Sequence, residues 1–265
     1  MKFRNEVLLI SFGVCLLLFF LPLRFAVAWP LVLLMPFWFG PLVVWRTVSQ
    51  PGIAQLALIP DVASLPGRIQ KTVRAAAAEL ERLGFVERGL VRQSNLPRMD
   101  AFVQLFEHPQ DGGICTQLIV TSRAELPLVL SEAIVFGQRL VGGGWIWTSN
   151  QRTSDVFSPN PRHDVIRLPA IRDAAALYRA HQRHVRQSPG EPSRASVEEP
   201  VRFQQELEAE AKAHWVRSGD FWFDDRRDRF RMTFVGAWRL TYRALPPFRQ
   251  IREAKARRRG ALISQ

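Results

Sequence analysis

The chain has 265 residues, is 47% hydrophobic and 23% charged, and carries a formal net charge of +12. This length accommodates one or two compact domains, and the apolar fraction excludes a wholly disordered chain. Its two cysteines exclude a disulfide scaffold and a cysteine-rich zinc module.

The basic excess invites a nucleic-acid reading, and its distribution disfavours one. Residues 1–50 hold Lys2, Arg4, Arg24 and Arg46 against Glu6. Residues 51–224 hold 20 basic and 20 acidic side chains, and residues 225–265 hold 12 basic against Asp225, Asp228 and Glu253. A nucleic-acid-binding fold carries a basic face through its body. Here the body is neutral and the charge sits at the two ends.

Val7 to Leu21 and Ala28 to Trp45 are nearly uncharged runs separated by Pro22–Val27. Each approaches the short end of the roughly 17–25 residues that cross a bilayer. Trp29 and Trp45 bracket the second run as interfacial aromatics do, while Pro36 and Pro41 imply kinks or a re-entrant shape. A signal peptide cleaved at Ala26-Val27-Ala28 is the competing reading, but cleavage would leave an apolar run directly behind the new terminus. The expectation is an uncleaved two-helix transmembrane hairpin over residues 1–48 in an inner (plasma) membrane. With Lys2, Arg4 and Arg46 on the inside, residues 49–265 face the cytoplasm. Cys15 then lies in the membrane and Cys115 in the body, which leaves no intramolecular disulfide.

Ser49 to Pro66 reads as a proline-rich tether. Ile69, Val73, Ala76, Leu80 and Leu83 recur at helical spacing, which predicts a helix over 65–83 with Gly84 behind it. The period then changes. Strands are predicted at 85–91, 101–107, 114–121, 129–139 and 145–148, with a sixth at 165–168. Pro109–Gly113 and Gly142–Gly144 are turn signals, and without crossover helices the strands suggest an antiparallel meander. A helix over 171–187, a polar linker over 188–200 and a helix from Val201 to Ser218 follow. Short strands are read near Phe221–Phe223 and Arg229–Phe234, then a final helix broken at Pro246-Pro247.

Candidate chemistry is sparse. His181 and His184 share a helical face, but Arg179, Arg183 and Arg186 beside them oppose a metal ion, so a solvated face is expected. His163-Asp164 reads as loop capping, Cys115 as a small buried hydrophobe, and the region of Trp145, Trp147, Phe157 and Phe136 as core, with a hydrophobic pocket or a lipid-facing apolar patch as its alternative. No phosphate loop, dinucleotide fingerprint, zinc-protease motif or nucleophile elbow occurs. The stretch from Phe221 to Tyr242 interleaves aromatics with arginines, a pattern that serves nucleic acid or an anionic membrane surface. With the N-terminal end already on the bilayer, high local concentration favours lipid.

The expected fold is therefore α+β: the hairpin over 1–48, an α+β domain with an antiparallel meander of about five strands over 49–187, the linker over 188–200, and a basic helical region over 201–265. The expected role is a membrane-anchored, non-enzymatic binding or scaffolding module. Arg226, Arg227, Arg239, Arg243, Arg249, Arg252, Arg257, Arg258 and Arg259 are its expected contacts with anionic lipid headgroups or a membrane partner. No motif calls for a cofactor, a metal or a catalytic residue. The alternatives are a membrane-bound enzyme using His163, Asp164 and Ser149, and nucleic-acid binding by the same arginines with steep salt dependence.

Overall fold

The computed structural model describes residues 35, 37, 39–53, 55–94, 99–123, 128–152, 157–194 and 196–264. The apolar run at 7–21, the Ala26–Ala28 site and half of the second run lie outside these residues. Residues 39–47, the end of that second run, are helical and form α1. Among the described residues no helix is long and apolar enough to cross a membrane, so the expected transmembrane hairpin finds no support there.

The remaining elements in chain order begin with β1 (Ser49–Pro51), β2 (Leu56–Ile59), α2 (Gly67–Glu81), β3 (Val86–Gln93) and β4 (Met99–Glu107). Next come β5 (Ile114–Ser122), β6 (Val129–Leu140), β7 (Trp145–Ser149), β8 (His163–Arg167), α3 (Ala174–Gln187) and β9 (Pro192–Ser193). The chain continues through α4 (Pro200–Arg217), β10 (Phe221–Asp224), β11 (Arg229–Met232), α5 (Phe234–Ala244) and α6 (Phe248–Ser264). The fold is α+β with a mixed sheet, ordered β2-β3-β4-β5-β6-β7-β8, with β9 beside β6.

Strands β2 to β7 pair antiparallel, as the turns require. The exception corrects the all-antiparallel meander: β8 runs parallel to β7, Trp145 opposite His163 and Ser149 opposite Arg167. Residues 150–162 are long enough to carry the chain back to the starting end, as a parallel pair demands. Gly144 (φ +92) permits the approach, since a Cβ there would lie 2.2 Å from the Arg162 carbonyl oxygen.

Alternation along the strands supplies two apolar faces. One face places Phe106, Cys115, Phe136 and Ile166 under Leu80 of α2 and Leu177 of α3, with Phe102 and Ile119 against Ile69 and Val73. The other places Val103, Leu105 and Trp145 against Val197 and Phe203 of the α4 segment. Each fully buried large apolar side chain contributes about 1.5–3 kcal/mol, which is what fixes register in a two-faced sheet.

Two segments expected to be irregular are structured. The tether supplies β1 and β2. The linker supplies β9, and buries Val197, whose N–H donates to Glu107 Oε2 at 3.0 Å. Proline flanks hid these short strands, which take their stability from partners distant in sequence.

A second unit gathers both ends of the described chain. β1 pairs with β11 and β11 with β10 in a three-stranded antiparallel sheet. Phe221, Met232 and Ala237 form its core together with Val44, Val48, Phe157, Trp215, Phe230 and Leu240. Helix α1 packs on α5 with the Trp45 and Phe234 rings 6.1 Å apart, and just before α1 the Phe37 ring lies 5.7 Å from that of Tyr242.

Candidate functional site

Two places carry the chemistry the sequence singled out. The first is the outer surface of the α1–α5–α6 unit. Thr233 caps α5 by accepting the Gly236 N–H at 2.9 Å, and the helix buries Ala237 and Thr241. Its other side leaves Phe234, Val235 and Trp238 exposed, beside exposed Leu42, Val43 and Trp45 of α1 and Phe248 and Ile251 of α6. Ring contacts link Trp45, Phe234, Trp238, Tyr242 and Phe248 across it, and an apolar surface of this kind marks a protein or membrane contact.

The expected arginines divide into two groups. Arg226 and Arg227 are exposed on the turn between β10 and β11, and Arg258 is exposed on α6, which also carries Arg257. Arg249 pairs with Glu253 one turn on at 2.8 Å, and Arg252 lies on the same helix. The others are built into the fold. Arg239 donates to the Ser218 carbonyl at 2.8 Å and to Asp220 Oδ1 at 3.1 Å. Burial raises the Asp220 carboxyl, but bonds from Ser158 and Arg239 outweigh it and hold the pKa below the usual range. Arg243 reaches toward Ser158 Oγ at 3.5 Å. Arg259 donates to Asp164 Oδ1 at 2.5 Å and so fixes α6 along β8, covering that sheet edge.

The second place is the β7–β8 end of the sheet. His163 and Asp164 do not cap a loop; they open β8 and point to opposite faces. His163 Nε2 lies 3.1 Å from Glu210 Oε1 and 3.2 Å from Asn160 Nδ2, all toward α4. Ser149 lies on the same face, but four residues along the strand from the position opposite His163. At about 3.3 Å per residue that offset is roughly 13 Å, beyond hydrogen-bond reach. The three residues of the enzyme alternative therefore form no nucleophile–base pair.

Asp164 faces α3, and there the histidine reading needs correction. His181 and His184 are 3% and 2% exposed, not solvated. They continue the buried stripe of Ala174, Leu177 and Ala180, and the arginines take the other side of α3. Thr148 Oγ1 lies 3.1 Å from His181 Nδ1 and 3.0 Å from His184 Nδ1. His184 Nε2 lies 3.1 Å from Asp164 Oδ2, off the ideal hydrogen-bond direction. Burial holds both histidines below the usual range, His181 at about 3. Burial raises Asp164, but His184 and Arg259 prevail and lower it. The hydroxyl–imidazole–carboxylate order resembles a hydrolase relay, yet Thr148 is 0% exposed. Among the described residues no group of three or more metal-ligating side chains occurs.

A cleft of about 480 Å³ lies between β7–β8 and α4, in the aromatic region whose alternative reading was a pocket; its polar groups were not foreseen. Trp147, Val165, Phe157 and Trp215 supply its apolar walls, and Ser149, Asn160, His163, Arg167 and His214 its polar groups. The alternation Trp147/Ser149 against Val165/Arg167 was the available signal. The other wall, Ala211–Trp215, joins it only through tertiary packing. Comparison of the chain with protein-family models, with curated proteins and with solved structures gave no match.

Proposed function

We propose that the protein is a membrane-anchored, non-enzymatic binding or scaffolding module whose α1–α5–α6 surface rests on anionic lipid headgroups. In this reading the hairpin over 1–48 spans an inner (plasma) membrane, and residues 49–265 lie on the cytoplasmic side, as Lys2, Arg4 and Arg46 favour. The observation that carries the reading is the docking of α1 on α5. It brings the end of the second apolar run against the exposed aromatics of α5, and the basic helix α6 continues from α5 to the β8 edge. Each exposed arginine near an anionic surface contributes about 1 kcal/mol, and the exposed aromatics add apolar burial.

The test uses the full chain in nanodiscs of phosphatidylcholine alone or with phosphatidylglycerol. Amide exchange in α5 and α6 is compared with that of a variant carrying Gln at Arg226, Arg227, Arg249 and Arg258. Protection present only in the anionic discs, and reduced in the variant, supports the reading. Equal exchange in both lipids overturns it.

A further inference from the structure

We propose that the cleft between β7–β8 and α4 binds a single-chain amphiphile with an anionic head, a long-chain carboxylate being its simplest form. Its volume of about 480 Å³ falls within the range of roughly 300–1,000 Å³ typical of small-molecule sites. The walls are aromatic and continuous with the α1–α5 core: Phe157 lies 4.7 Å from the Trp215 ring and 5.3 Å from the Phe221 ring. Phe221 in turn belongs to the cluster that receives Val44 and Val48.

The polar groups specify the head. Arg167 lines the cleft and is a permanent cation with a planar donor fork suited to a carboxylate. Glu210 stands beside the cleft and is engaged by His163 and Asn160 at 3.1 Å and 3.3 Å. His214 also lines it, is 9% exposed, and its Nε2 meets no hydrogen-bond partner among the described residues. A buried nitrogen left so is desolvated without compensation, which a ligand oxygen would supply. Ser149 and Asn160 supply further hydrogen-bonding groups.

The membrane reading enters only as the route of entry. The cleft itself stands on the sheet and α4.

The probe is 12-bromododecanoate, whose bromine quenches tryptophan, with 12-bromododecanol as the uncharged control. Both are titrated against the full chain in phosphatidylcholine nanodiscs. Trp147 and Trp215 report from the cleft walls. Saturable quenching by the carboxylate is expected. Ala211→Phe, which fills the cleft from α4, should abolish the saturable phase for both probes. Arg167→Gln should weaken the carboxylate roughly tenfold and leave the alcohol unchanged. Quenching that rises in proportion to probe per lipid, without saturation, reports bilayer partition and overturns the proposal even if neither variant folds. Saturable binding unaffected by Arg167→Gln overturns the anionic head. Saturable quenching together with lipid-independent exchange in α6 would remove the membrane reading and leave this one standing.

Discussion

His181 and His184 meet through a single hydroxyl, Thr148 Oγ1, at 3.1 Å and 3.0 Å. A carboxylate only accepts, so the proton of neutral His184 sits on Nε2, facing Asp164, and its Nδ1 accepts the Thr148 proton. Thr148 then accepts from His181 Nδ1–H. Every proton in the row is assigned by this order, and Thr148→Val breaks it at two buried nitrogens. The expected loss is about 2 kcal/mol, a few degrees in the thermal transition followed by near-ultraviolet circular dichroism. A shift below about 0.5 kcal/mol would mean that the hydroxyl carries none of this order.

The same pair sets an acid sensitivity. His181, held at about 3 by burial, stays neutral in the fold where the unfolded chain titrates near 6.5. The unfolded state therefore binds more protons below that value, and stability falls as the pH drops through it. From pH 6.5 to 5, His181 alone contributes a loss of about 2 kcal/mol, and His184 acts in the same direction. Asp100, Asp164 and Asp220, all held low, lose their contribution only below the ordinary value of 3.8. The window between pH 7 and 5 thus belongs to the histidines. Urea denaturation across it should show the slope, and His181→Leu should flatten it.

Gly40 is seated on α5 so closely that a Cβ would lie 2.8 Å from Thr241 Cγ2. Gly40→Ala should destabilise the α1–α5 contact by about 1–3 kcal/mol, the range of overpacked interfaces. Thr241→Ser removes the methyl that collides and should restore most of the loss in the double variant. An additive double variant would show that the two residues do not meet.

Gln104 presents the opposite case, a buried amide whose oxygen and nitrogen both find no hydrogen-bond partner among the described residues. It sits opposite Gln117, which donates to Glu132 at 3.0 Å and keeps that bond without Gln104. Replacing a desolvated amide by an apolar group of similar size removes a penalty. Gln104→Leu should raise the melting temperature by a few degrees. A fall would show that the amide is satisfied by bound water.

Much of this fold was legible because its elements are strongly periodic. Ile69, Val73, Ala76 and Leu80 mark α2, and the alternation of Phe102, Gln104 and Phe106 with Val103 and Leu105 marks both faces of β4. The direction of β8 was less legible. Only the length of the 150–162 connection hinted at a parallel return, and turn chemistry says nothing of direction. His181 and His184 misled because residue type was weighed above position. They fill stripe positions that apolar residues otherwise hold, and the sheet satisfies them with Thr148 and Asp164. Only the strand wall of the cleft was legible, in the aromatic run around Trp147, since Arg167 and His214 lie far apart in sequence and share it only once α4 lies over β8. The arginine–aromatic alternation after Phe221 was visible, but not that Arg239 and Arg259 are fastened to Asp220 and Asp164.

The pairing of Ser49 with Arg231 also governs the order in which the molecule can assemble. The main sheet has its β2–β8 path complete once Arg167 has emerged, whereas β1 waits for a partner about 180 residues downstream. At roughly 5–20 residues per second that wait lasts on the order of 10–40 s. Throughout it, Val44 and Val48 lack the C-terminal part of the cluster that covers them. A ribosome stalled before Phe221 would present the β2–β8 sheet beside an open apolar end, which makes the segment from Phe221 to Leu240 the one that closes it.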